Sequence, residues 1–131
     1  MKIRESKISD IEGLVKLWKK TNLYFASFDD EKRLEEKISK EPSLLLVAEA
    51  DECIVGVVIG NYGWRVSIDH LAVDPEYQKQ GIGRKLFEEI KKRLKEKGAT
   101  TALIDSNLSI QLLQRAGCKY RGTYSNYTIE L

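Results

Sequence analysis

The chain of 131 residues contains a single histidine, His70, and two cysteines, Cys53 and Cys118. A zinc site draws its ligands from such residues at close spacing, and no set of that kind is present, so no metal centre is expected. Two cysteines do not make a disulfide framework either. Each lies among apolar or strand-like neighbours and reads as a core thiol. Long hydrophobic runs are absent: the longest spans residues 44–48, far short of a membrane crossing. The start, Met1-Lys2-Ile3-Arg4-Glu5-Ser6, has no apolar leader core, so a cytoplasmic location without a membrane partner is expected. Charge of neither sign dominates. With 22 basic and 20 acidic residues the net charge is +2, too small for a global attraction to nucleic acid. Any anion recognition must be local.

What is present describes one globular domain over residues 1–131, with 42% hydrophobic and 32% charged residues and no repeat. Residues 2–5 read as a first strand. Ser9-Asp10-Ile11-Glu12 has the form of a capping box, and Ile11, Leu14, Val15 and Trp18 follow at helical spacing, which predicts a helix over residues 10–20. Asp29 or Asp30 caps a second helix, with Leu34 and Ile38 inward and Pro42 beyond its end. Tyr24, Phe25 and Phe28 lie in the connection between the two helices. Residues 43–50, 53–61 and 64–73 are β-rich runs joined by short turns, hence three successive antiparallel strands. Ile82, Leu86, Phe87, Ile90 and Leu94 line one face of a long helix that Gly98 stops. Its other face pairs Glu88 with Lys92 and Glu89 with Arg93, so the basic cluster there is a solvated surface. Residues 101–105 form a strand parallel to 64–73, because a helix crosses between them. A short helix over 109–116 and a closing hairpin of 118–124 and 127–131 complete the order β-α-α-β-β-β-α-β-α-β-β, a mixed α/β sheet.

Where the third antiparallel strand hands over to the long helix, the chain reads Asp74-Pro75-Glu76-Tyr77-Gln78-Lys79-Gln80-Gly81-Ile82-Gly83-Arg84-Lys85-Leu86. A helix N-terminus has unpaired backbone N–H groups and the positive end of the helix dipole, so it takes phosphate wherever the backbone is accessible. Gly81 and Gly83 remove side chains from that approach, and Lys79, Arg84 and Lys85 add charge. The stretch fits neither the dinucleotide-binding pattern, which needs glycine where Leu86 stands, nor the P-loop, which needs Gly-Lys-Ser/Thr.

Gln78-x-x-Gly81-x-Gly83, preceded by a strand ending Leu71-Ala72-Val73 and opening an amphipathic helix, resembles the acetyl-coenzyme-A signature of the GNAT superfamily of N-acetyltransferases. The likeness extends over nearly the whole chain. Residues 14–22 and 43–60 are similar to the YpeA branch, with RimI-like protein acetyltransferases a more distant match. The resemblance implies the GNAT fold: a mostly antiparallel central sheet with one parallel, splayed strand pair and helices on both faces. It implies acetyl-CoA as co-substrate and direct attack of a primary amine, from a small molecule or a protein N-terminus, on the thioester. The pyrophosphate then falls on the backbone of Gln78, Lys79, Gln80, Gly81, Ile82, Gly83, Arg84 and Lys85. Pantetheine pairs with Leu71, Ala72 and Val73, and an N–H near Leu71 polarises the thioester carbonyl. Asn107 either reaches pantetheine or caps its helix. Relatives are often homodimers.

Many relatives take the acid from a tyrosine on the last helix, but the aligned position here holds Leu113 or Gln114, neither of which is a general acid. Tyr120, Tyr124 and Tyr127 are the available replacements, with Tyr124 taken as the acid. Ser67 stands where some relatives carry a glutamate base. Asp69, two residues before Leu71 and on the same face by strand alternation, is the candidate base, and His70 points the other way. Without a strong base, an α-amine with pKa about 7.7 to 8.0 is a better acceptor than a lysine near ~10.4. Tyr24, Phe25, Phe28, Tyr62 and Trp64 are the aromatic residues expected on the acceptor side. The alternative is a GNAT-fold module that binds coenzyme A or a partner without efficient transfer.

Overall fold

The computed structural model describes residues 1–24, 30–104, 110–122 and 127–131, and for Ile110 and Gln111 the backbone alone. Five strands, β1 (Lys2–Glu5), β2 (Leu45–Ala50), β3 (Cys53–Asn61), β4 (Ser67–Val73) and β5 (Leu103–Ile104), form one sheet in chain order. Neighbours are antiparallel except β4 and β5, which are parallel. Helices α1 (Ile11–Lys20) and α2 (Glu31–Lys40) lie between β1 and β2, α3 (Ile82–Glu96) crosses from β4 to β5, and α4 (Ile110–Arg115) follows. The expected mixed sheet with one parallel pair is therefore the one observed.

Residues 44–48 show why that run is apolar throughout. Leu46 and Ala48 pack under α3 with Ile82, Leu86, Phe87, Ile90 and Leu94. Leu45 and Val47 pack on the other face with Leu14, Leu17, Trp18, Leu34 and Ile38 of α1 and α2. A central strand covered on both faces alternates between two cores rather than between core and water. Gly56 of β3 seats α3 against the sheet, since a Cβ there would lie 2.9 Å from Leu86 Cδ1 and 3.1 Å from Ile82 Cγ2.

Several expectations are corrected. Asp30 caps α2, its carboxylate accepting from the Arg33 N–H at 2.8 Å, but Ser9 does not cap α1. A short 3-10 turn, Ile8–Asp10, precedes α1, and Asp10 instead accepts from the Lys7 N–H at 2.8 Å and from Arg4 at 2.8 and 3.0 Å. A fixed guanidinium makes Asp10 the stronger acceptor. Cys53 is exposed, because it is the first residue of β3 after the Asp51-Glu52 turn, whereas Cys118 is half-buried and packs against the core under α3. Glu89 pairs with Arg93 at 3.0 Å, while Glu88 turns to Lys91 at 3.3 Å instead of Lys92. The closing hairpin is not found among the described residues: 118–122 and 127–131 carry no strand, and Tyr127, Ile129 and Leu131 are exposed. The described part of β5 is two residues long, a short edge on which to template further strands.

Candidate functional site

The site begins with an irregularity in β4. Its partner residues on β3 run Ile59 to Asp69 and then Val57 to Ala72, so Val58 alone stands opposite both His70 and Leu71. This is a one-residue bulge, and His70 takes a left-handed φ of +52° to make it. The indole N–H of Trp18, a fully buried residue of α1, donates to the His70 carbonyl at 3.3 Å. The two rings also meet edge to face at 5.0 Å.

The bulge overturns the alternation expected for Asp69. Ile68 and Leu71, three residues apart, both bury under α3, so Asp69 and Leu71 present opposite faces. His70 meets Trp18 on the helix-pair side, where Asp69 also lies, so these two do not oppose each other as parity implied. On its other edge β4 pairs with β5 only at Ser67 and Ile68. From Asp69 to Val73 no described strand lies beside it there, and residues 105–109, which follow β5 in the chain, lie outside the described residues.

Beyond Val73 the chain is tied down before the helix begins. The Asp74 N–H donates to Val55 O at 2.8 Å, Tyr77 Oη to Asp51 at 2.9 Å, and Gln78 Nε2 to Val73 O at 3.1 Å. Partial burial raises the Asp74 carboxyl pKa, but hydrogen bonds from Lys20 Nζ and the Glu76 N–H, each 2.9 Å, outweigh it and hold the group below its ordinary value. The Asp51 carboxylate, accepting from Tyr77, pushes that phenol up. Lys79 and Gly81 are both left-handed, φ +64° and +81°. Lys85 donates to Gly81 O at 3.0 Å as the first closed turn of α3. Among the described residues nothing accepts from the N–H groups of Ile82, Gly83 and Arg84. Gln78, Lys79, Gln80, Arg84 and Lys85 are exposed around them. An open groove of about 930 Å³ runs from Gly81 along Arg84 and Lys85, then past Glu88, Glu89, Lys92 and Arg93 to Ile3 of β1.

The two glycines differ. Gly81 needs its φ, whereas Gly83 is helical, and a Cβ on it would meet only Val73 Cγ2 at an ordinary 3.5 Å. Nothing described within the chain requires glycine at 83.

Asp69 is held by two neutral donors, Asn61 Nδ2 at 2.6 Å and Ser67 Oγ at 2.7 Å, both to Oδ2. Asn61 Nδ2 also reaches Ser67 Oγ at 3.2 Å, and Lys37 of α2 donates to Asn61 Oδ1 at 3.1 Å. Sequence reading missed Lys37, Asn61 and Trp18. Lys37 sits among Glu and Lys residues and reads as solvated charge, and Asn61 meets Asp69 only through a register that the sequence does not display. Asn107, Tyr124, Phe25 and Phe28 lie outside the described residues. Tyr120 and Tyr127 are exposed, Leu113 is half-buried and Gln114 exposed. Tyr24 is half-buried under Lys19 at 4.9 Å, and Tyr62 and Trp64 are exposed on the β3–β4 turn. Among the described residues no cluster of His, Cys, Asp and Glu is placed to hold a metal, and no helix is long and apolar enough to cross a membrane.

A helix N-terminus with open N–H groups, reached from the end of β4 through a fixed loop, suits a ligand with an anionic end. Solved structures share the build. Glucosamine-6-phosphate N-acetyltransferase from Arabidopsis thaliana is 20% identical with a TM-score of 0.78, each chain covered over 98%. The PaiA N-acetyltransferase of Thermoplasma acidophilum, in complex with coenzyme A, is 21% identical with a TM-score of 0.73, covering 88% of this chain and 86% of that one. A GNAT family acetyltransferase from Brucella melitensis, in complex with acetyl-CoA, is 22% identical with a TM-score of 0.68, covering 91% and 82%. Residues 11–118 match the acetyltransferase (GNAT) family, and the chain belongs to it.

Proposed function

We propose that this protein transfers an acetyl group from acetyl-CoA to a primary amine, carried by a small molecule or a protein N-terminus. The observation that carries this reading is Gly83. Glycine costs helix stability relative to alanine, about 0.5–1 kcal/mol, and no described atom of the chain compels it there. We read the glycine as room for a ligand that touches the helix backbone. The N–H groups of Ile82, Gly83 and Arg84, with Gln78, Lys79, Gln80, Gly81 and Lys85 around them, fit a pyrophosphate. The β4 edge over Leu71, Ala72 and Val73, which no described strand covers, fits a pantetheine arm.

Acetyl-CoA supplies the acyl group, activated as a thioester. The bulge redirects the peptide groups of His70 and Leu71, and the Leu71 N–H polarises the thioester carbonyl. Asp69 receives the amine proton, and its place as base rests on a ground other than strand parity. Both described donors bind Oδ2, and among the described residues none reaches Oδ1. Asn107 as a pantetheine contact and Tyr124 as the acid complete the assignment.

The test is calorimetric titration with acetyl-CoA, followed by thiol release with a panel of amines. Saturable binding at micromolar concentration with amine-dependent thiol release is expected. Binding without release across the panel would make the protein a coenzyme-binding module, and no binding would remove the cradle.

A further inference from the structure

The Lys37 ammonium has three protons, and three acceptors surround it: Gly60 O at 2.7 Å, Asn61 Oδ1 at 3.1 Å and Glu41 Oε1 at 3.2 Å. It is thus saturated within the chain and has no donor left for an anionic substrate. Its bond to Asn61 has a second consequence. With Oδ1 committed to a cation, the Asn61 amide has one orientation, and Nδ2 must face Asp69 and Ser67. A flipped amide would set oxygen against carboxylate at 2.6 Å and leave the ammonium facing an NH2 group.

The Ser67 hydroxyl obeys the same direction, accepting from Asn61 at 3.2 Å and giving its one proton to Asp69 at 2.7 Å. These bonds are additional to the strand ladder, which already pairs Asn61 with Ser67 through the backbone. No ammonium touches the Asp69 carboxylate directly among the described residues. An amide bridge orients it without an ion pair.

We propose that Lys37 is a positioning residue which, through Asn61, fixes the Asp69 carboxylate for proton removal from the acceptor amine. This rests on Asp69 being the base, as argued above. The chain of contacts runs from α2 across the end of β3 to β4, so a helix with no residue at the thioester sets the geometry of the proton acceptor.

The experiment compares Lys37→Met, Asn61→Ala and Asp69→Asn, singly and paired, in acetyl transfer to a tripeptide with a free α-amino group. The Asn61 side-chain amide is followed by NMR in the wild type and in the variants that keep Asn61. Asn61→Ala leaves Lys37 bonded to Gly60 and Glu41, so one variant keeps that tie between α2 and β3. Lys37→Met and Asn61→Ala are each expected to lower kcat roughly tenfold with KM for acetyl-CoA within about twofold. In the Asp69→Asn background either change should add less than about twofold. Lys37→Met should also bring the Asn61 amide protons into fast solvent exchange. A wild-type kcat in Lys37→Met, or full additivity with a slow Asp69→Asn, overturns the relay and leaves the base in place. A wild-type kcat in Asp69→Asn removes the base and the relay with it. An unchanged Asn61 amide signal in Lys37→Met overturns the lock whatever the turnover.

Discussion

Gly81 and Gly83 are one residue apart and answer to different constraints, which makes them a matched pair of probes. Gly81 has φ +81°, where a side chain is strained. Gly81→Ala should destabilise the free protein by about 1 kcal/mol. Gly83→Ala should instead stabilise it by about 0.5–1 kcal/mol while weakening acetyl-CoA binding. Urea unfolding of the free proteins and calorimetry of the cofactor check both halves. Tighter unfolding stability with unchanged affinity would mean that the backbone at 83 faces no ligand. Gly83→Glu should abolish binding in a folded protein. Asp69→Asn is expected to lower kcat by roughly 10²-fold, in line with general base catalysis, while acetyl-CoA affinity holds. At this scale the glycines were readable because spacing alone marks them. The face of Asp69 was not, since a single left-handed residue, His70, shifts every parity after it.

Among elements, β1, the 3-10 turn before α1 and β2 are joined by a charge cluster. Arg4 donates to Asp10 at 2.8 Å and to Glu49 at 2.8 Å. The Arg4 hydrogen bond is the main cause holding the Asp10 carboxyl below its ordinary value, against desolvation, which raises it, and with help from the Lys7 N–H. A depressed carboxyl stabilises the fold fully above its unfolded pKa and loses that contribution as pH falls through the folded value. The stability gap between wild type and Asp10→Asn should therefore be full near pH 6 and shrink below about pH 4, read from urea midpoints. A gap independent of pH would show that Asp10 acts by packing alone. The central strands and α3 were legible from apolar periodicity, because burial on one or both faces writes itself into the sequence. The failed Ser9 cap was not, since it depends on Arg4, five residues away and on another element. Nor was the fate of residues 118–122 and 127–131: alternation marks what can be a strand, while pairing needs an edge.

For the whole molecule, the proposed ligand bridges β4, the loop after it and α3, of which β4 and α3 already share a core through Ile68, Leu71, Ile82 and Leu86. Binding to the folded state alone adds stability by mass action, about 2.7 kcal/mol at a hundredfold excess over Kd. For a chain of this length that is a rise in Tm of roughly 5–15 °C, to be read by thermal shift with acetyl-CoA. Gly83→Glu should abolish the rise. With net charge +2 spread over the surface, no comparable shift is expected with duplex DNA.

The bulge at His70 makes β4 one residue longer than the span it covers on β3. Remove that residue and Ile68, Leu71 and Ala72 would still fall on the faces they now occupy, in a regular ladder without a left-handed position. What the shorter strand would lose is the Trp18 contact, since the buried indole N–H donates to the His70 carbonyl and its ring meets the imidazole. Under the proposed function, a screen for folding would weigh this residue by that contact alone, whereas a screen for acetyl transfer would also weigh the peptide groups that the bulge turns.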